Sequence, residues 1–372
     1  MCIRDSLATV HRSTHLPVLC KDFIVDKVQI QAARYFGADA ILLMLSVLTD
    51  EEYTQLSNFA HTLNLDVLTE VITEEEMTRA TRLGAKIIGI NNRNLNDLSV
   101  DISRTEALTR FAPTGVRLIS ESGIRTKKDI DRIGSVVDGF LVGTNLVRKG
   151  DVDTNARILL YGANKVCGLR STHAAQAARA AGAVYGGLVF EESSPRQVSR
   201  ETAASIIKAE PGLRFVGVSR RTTGWEELAD LGLHAVQIHA PLQGTIDEER
   251  ALIRSVREAV GPITDIWRAI SMSKPHAAEF ATELAKDHDL TLLLDNGAGG
   301  TGESFDWESI PADLLHSSFL AGGLGPDNVL QALKLDARGL DFNSRVENPL
   351  GDKDAHTLYS TFNTIRRYTN DN

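Results

Sequence analysis

Residues 17–23 read Pro17-Val18-Leu19-Cys20-Lys21-Asp22-Phe23, "PVLCKDF". A short apolar run that ends in a lysine reads as a buried strand delivering a charged group to a site. No strand candidate precedes it. Working outward, the same pattern recurs at 39–44 (DAILLM), 65–69 (LDVLT), 86–91 (KIIGIN), 116–120 (VRLIS) and 138–142 (DGFLV). Between these runs lie helical stretches such as Glu74–Leu83, closed by Gly84, and Ser103–Phe111, closed by Pro113. Near-continuous apolar strands alternating with helices predict βα units around a parallel sheet covered on both faces.

The rhythm continues at 164–169, 184–190, 213–218, 233–238, 263–269, 290–295, 317–321 and 337–343. The Ala-rich helix "THAAQAARAAG" ends at Gly182, a suitable C-cap residue. A helix near 152–161, followed by Gly162-Ala163-Asn164, predicts domains at 1–162 and 163–372. The strand count separates the halves: the second has eight candidates, the number that closes a (β/α)₈ barrel, and the first has six. The expected class is α/β, with two tandem TIM barrels, the N-terminal one incomplete and the C-terminal one complete. An open six-stranded doubly wound sheet is the alternative for the first half. A chain starting at the third strand of a barrel would lack roughly 60 residues, two βα units of a typical 250-residue barrel.

Composition bounds the function. Of 372 residues, 42% are hydrophobic and 24% charged, ordinary for a globular chain, and the net charge of −9 argues against nucleic-acid or anionic-membrane partners. Three scattered cysteines (Cys2, Cys20, Cys167) predict a reducing, cytoplasmic setting without a disulfide framework. The opening Met1–Ser6 shows neither an apolar signal core nor helical patterning, and no run reaches the 18 or more apolar residues of a membrane span.

Chemistry-bearing residues collect at strand ends, where barrel enzymes keep their sites. The first half supplies Lys21, Glu70, Asn91, Arg93, Glu121 and Ser122, then the glycine-bearing turns Gly123 and Gly143-Thr144. One lysine with two carboxylates makes a proton-transfer set, and glycines after the last two strands suit a phosphate held by backbone N–H groups. The second half supplies Cys167 and Asp295, a thiol usable as a base if its pKa is modestly lowered and a carboxyl usable as an acid if shielded from water. Arg196 and His239 could meet an anionic substrate, and Gly322, Gly323 and Ser344 occupy the phosphate position. Cys20 reads as an inert buried thiol. "GAGGTG" (297–302) fits G-x-G-x-x-G but leads into "ESFDW" instead of a helix, so it predicts a mobile loop beside Asp295 and no dinucleotide site. With no P-loop, H-E-x-x-H or clustered ligand set, neither metal nor cofactor is expected.

The quoted segments are familiar. "PVLCKDFIVD", "VLTEV", "GINNRNL", "SESGI" and "GFLVGTNL" resemble indole-3-glycerol-phosphate synthase; "NKVCGL", "LLLDNGAGGTGESFDW", "LAGGL" and "GLDFNSRVE" resemble phosphoribosylanthranilate isomerase. Their order resembles the fused bifunctional family of tryptophan biosynthesis. The resemblance implies Lys21 as general acid and Glu70 as second proton-transfer residue, with Asn91, Arg93, Glu121 and Ser122 contacting substrate and Gly143-Thr144 holding phosphate. It implies Cys167 as general base and Asp295 as general acid of an Amadori rearrangement, with Arg196 meeting the anthranilate carboxylate. The implied partners are small phosphorylated substrates, and a monomer is expected, with association through an incomplete barrel edge as an alternative.

Departures from the family pattern carry their own expectations. The family's first-strand Glu-x-Lys and Ser-Pro-Ser are absent, which predicts little or no synthase turnover in this chain. Asn94 replaces an aspartate. Arg345 and Ala240 replace glycines; if position 345 uses positive φ or close backbone approach to phosphate, arginine there costs about 1 kcal/mol or more, or else adds a direct charge contact. Two other readings stay open: a catalytically silent fragment serving as a binding module, and another phosphosugar isomerase on the same fold.

Overall fold

Apolar runs of the first half pair in chain order into one parallel sheet: β1 (Leu19–Cys20), β2 (Ala40–Met44), β3 (Asp66–Val71), β4 (Ile87–Asn91), β5 (Arg117–Glu121) and β6 (Gly139–Leu141). The computed structural model describes residues 3–95, 97–296, 307–349 and 351–369, and it divides at Arg148 and Lys149 into two compact units. In the first unit the sheet is open, with β1 and β6 at its edges among the described residues. Register pairs Met44 with Glu70, Glu70 with Gly89 and Asn91 with Glu121, so the polar strand ends align along one rim.

Local chemistry fixes where each strand hands over to a helix. Asp26, Thr49 and Thr126 close capping boxes with Gln29, Glu52 and Asp129, and Thr73 caps its helix through Glu76 N–H. Each such cap contributes about 1 kcal/mol and sets the helix start to the residue. One expectation fails at the start of the chain. Ile3–Ser13 is a helix, with Leu7 buried and the His11 ring against Gly37, where an added Cβ would lie 2.3 Å from His11 Cγ. Six residues are too few to show a 3.6-residue period; the pattern emerges only when the window extends to Ser13.

The second unit closes on itself. Its strands are β7 (Lys165–Val166), β8 (Tyr185–Val189), β9 (Arg214–Ser219), β10 (Ala235–Ile238), β11 (Asp265–Ser271), β12 (Leu290–Asp295), β13 (Phe319–Leu320) and β14 (Gly339–Phe342). All neighbours are parallel, and β14 pairs with β7 (Asp341 with Lys165, Phe342 with Val166) to complete an eight-stranded barrel. Near the strand starts, Tyr185, Trp267 and Phe319 plug the interior, with ring centroids 4.5–5.7 Å apart. Edge-on and tilted aromatic packing of this kind adds about 0.5–1.5 kcal/mol per pair beyond area burial. Outside the barrel, the helix Thr172–Ala181 buries Ala174, Ala175, Ala178 and Ala181, small residues that let it approach the strands closely. The helix Val152–Tyr161 is tied to this unit by Arg157, which donates to the carbonyl of Gly212 at 2.5 Å.

Candidate active site

In the eight-stranded unit the aromatic floor leaves the strand ends open as a cavity of about 280 Å³. Cys167 follows β7 and Asp295 ends β12, and both line this cavity together with Arg196, His239, Gly322, Gly323 and Ser344. The seven candidate site residues of this half therefore converge on one space. Glycines make room for it. A Cβ at Gly187 would stand 2.7 Å from Cys167 Sγ, and one at Gly168, which has φ +74, would stand 2.6 Å from the Arg196 side chain.

The electrostatics of the two reactive groups differ. Burial pushes Asp295 up to about 6, with Asp341 adding to the rise and the Asn296 N–H, 2.8 Å from Oδ1, opposing it. Its other oxygen faces His239 Nε2 at 3.8 Å. Cys167 departs from expectation: burial raises the thiol instead of a local charge lowering it, although Lys165 and Lys353 both pull it down. Withdrawal from water penalises the thiolate more than the nearby ammonium groups favour it.

Arg196 grips Glu347 with both arms of its fork, Nε to Oε1 at 2.8 Å and Nη2 to Oε2 at 2.9 Å. Lys353 holds the same carboxylate and also donates to Asn343 Oδ1 at 2.9 Å. The pairing leaves Nη1 of Arg196 outside the fork, on a side chain that lines the cavity. Gly322 and Gly323 have φ of +91 and +65, conformations that suit glycine. Arg345 lies in the short turn Ser344–Val346 without positive φ, so the strain considered for that position is absent. Ala240 is buried, and its carbonyl accepts from Arg268 Nη1 at 2.8 Å.

The open sheet carries a second set. Lys21 Nζ lies 3.3 Å from Glu70 Oε2 and 3.3 Å from Glu121 Oε2. Both glutamates are fully buried, while 41% of the lysine side chain is exposed. Burial pushes Glu121 up to about 7, with Lys21 opposing and Glu70 reinforcing. Gly89 is required beside it, because a Cβ there would sit 1.9 Å from Glu121 Oε1. Asn91 accepts the Arg93 N–H at 2.9 Å, and Arg93 donates to the Leu98 carbonyl at 3.2 Å, so both are tied into the loop after β4. Ser122 and Gly123 both have positive φ, and Gly143 opens the four-residue helix Thr144–Val147. The "GAGGTG" segment lies outside the described residues.

Several residues in contact with the cavity's lining escaped the sequence reading, and of these only Asp341 lines the cavity itself. Lys165 Nζ donates to Asp341 Oδ2 at 2.7 Å in the barrel interior, and Asp341 Oδ1 is buried without a hydrogen-bond partner. A signal existed, since Lys165 and Cys167 are two apart along a strand and so share a face. Glu347 and Lys353 gave none; only the folded chain brings them to Arg196.

Comparison with known proteins follows the same division. The Indole-3-glycerol phosphate synthase family matches residues 3–159, and the N-(5'phosphoribosyl)anthranilate (PRA) isomerase family matches residues 164–364. The Tryptophan biosynthesis protein TrpCF of Corynebacterium glutamicum is 56% identical over 370 residues, covering 98% of this chain and 78% of that protein. The Salmonella typhi protein of the same name is 45% identical, covering 98% of this chain and 78% of its own length. Among solved structures, the phosphoribosyl anthranilate isomerase of Thermus thermophilus aligns at 30% identity with a TM-score of 0.45, covering 54% of this chain and 96% of that chain.

Proposed function

The chain belongs to the bifunctional indole-3-glycerol phosphate synthase and phosphoribosylanthranilate isomerase family of tryptophan biosynthesis, and from that premise we propose how its residues divide the work. It is an enzyme with isomerase and carboxy-lyase activities. In the eight-stranded barrel, Asp295 donates a proton to the ribose ring oxygen of phosphoribosylanthranilate, the C1–O bond breaks, and a Schiff base forms. The Cys167 thiolate then takes the C2 proton, and the C–H electron pair moves into the C1–C2 bond of an enolamine that settles to the ketone. Arg196 meets the anthranilate carboxylate through Nη1, His239 contacts the substrate, and Gly322, Gly323 and Ser344 hold the phosphate.

The carboxyl raised to about 6 supports the acid role, because a group protonated near neutral pH can donate. In the open sheet, Lys21 protonates the substrate ketone during decarboxylating ring closure, and Glu70 moves the second proton. Glu121, Asn91, Arg93 and Ser122 position the substrate, and Gly123, Gly143 and Thr144 receive its phosphate. Among the described residues no helix is long and apolar enough to cross a membrane. We place the enzyme in the cytoplasm as a monomer acting on small phosphorylated substrates.

The observation that carries the isomerase reading is the single cavity lined by a thiol, a raised carboxyl and an arginine at the rim of a closed barrel. The test is the fluorescence of phosphoribosylanthranilate, which the chain should abolish in a time course. Decay no faster than in buffer overturns the reading.

A further inference from the structure

The buried pair beneath Cys167 has no part in the chemistry above. Lys165 opens β7 and is fully buried; Asp341 is its register partner on β14, also buried, and lines the cavity. A charged pair inside a barrel carries a large desolvation penalty and is poor evidence of a stabilising device. Its position suggests another use. Lys165 and Cys167 share the inward face of one strand, and the lysine interacts with both the thiol and Asp341. The other charged groups around the thiol are Lys353 from the C-terminal loop, Arg196 from the segment after β8, and Asp295 and His239 across the cavity. Arg196 and Lys353 are already committed to Glu347. Lys165 is the cation on the thiol's own strand.

We propose that Lys165 is a positioning residue that makes a thiolate at Cys167 sustainable in a dry site, and that Asp341 both pins this lysine and opposes it, so the pair sets how much of the thiol ionises. The inference rests on Cys167 being the isomerase base, but its readout does not need turnover. Burial pulls Lys165 down, yet Asp341 and Cys167 together raise it on balance, so its charge persists.

The experiment is an ultraviolet titration of the thiolate in the full chain, with the Cys167 signal isolated as the difference from Cys167→Ser, since Cys2 and Cys20 also absorb. Lys165→Met should move the midpoint up by about one pH unit or more, and Asp341→Asn should move it down by a similar amount, the size expected for a charge within a few ångströms. Shifts of the same sign, or no shift in either, overturn the proposal; a purely structural pair would not give opposite signs. If Lys165→Met fails to fold, the comparison of Asp341→Asn with the double variant Lys165→Gln/Asp341→Asn, which keeps an uncharged hydrogen bond between the strands, isolates the lysine. The double variant should titrate higher; an equal midpoint overturns the role. A chain that titrates as expected yet leaves phosphoribosylanthranilate unconsumed would sink the isomerase reading and leave the electrostatic one standing.

Discussion

Replacing Asp295 by asparagine should stabilise the eight-stranded barrel at neutral pH while removing its proposed general acid. Burial raises this carboxyl from 3.8 to about 6. Between those values the folded chain holds a proton that the unfolded chain has released, so stability falls as pH rises through the window and stays lowered above it. At 1.36 kcal/mol per unit, the raised carboxyl costs about 3 kcal/mol at pH 8 and almost nothing below pH 4. Asparagine has no such cost, and its Oδ1 can still accept the Asn296 N–H. The assay is urea unfolding followed by tryptophan emission, which reports this unit alone because Trp225, Trp267 and Trp307 all lie in it. Asp295→Asn should be more stable than the parent at pH 8, by an amount that shrinks toward zero as pH falls to 4. A variant that is less stable at pH 8, or offset equally at both pH values, refutes the electrostatic account of this site.

With Asp295, raised to about 6, as the proposed acid and Cys167, raised above the ordinary thiol range, as the proposed base, loss of protonated carboxyl and gain of thiolate cancel over the interval between them. Isomerase kcat/KM should therefore be level from pH 7 to 9, and a steady decline above pH 6 would contradict the pairing. Arg196→Ala should raise KM for phosphoribosylanthranilate roughly tenfold or more, with a smaller change in kcat, as expected when one charged hydrogen bond is lost; an unchanged KM would remove Arg196 from the site. Synthase turnover, measured with the isomerase product supplied, should fall well below isomerase turnover, because Lys21 sits 41% exposed on an open sheet where water screens its charge. Equal turnovers would show that an open rim suffices.

The strands were legible because they are short apolar runs separated by helical stretches, and several end in a residue of a different character, such as Glu121 or Asp295. Cys167 and Asp295 were legible because each stands at such an end. What stayed hidden depends on closure of the barrel. Lys165 meets Asp341 across 176 positions of chain, through the pairing of the last strand with the first. Glu347 meets Arg196 across 151 positions, and nothing in either local sequence marks the partner. The sign of the Cys167 shift was hidden for the same reason: it is a balance of burial against cations that only the assembled barrel supplies. The opening helix was missed for a simpler reason, a window shorter than two turns.

The most direct test of an acid and a base acting across one cavity is substrate fluorescence decay with Cys167→Ala, Asp295→Asn and the double variant, each shown folded by its tryptophan emission. Either single change should abolish isomerase turnover, and the double should lose little more, because two groups that act as one device do not add. Turnover that survives in either single variant would contradict the account.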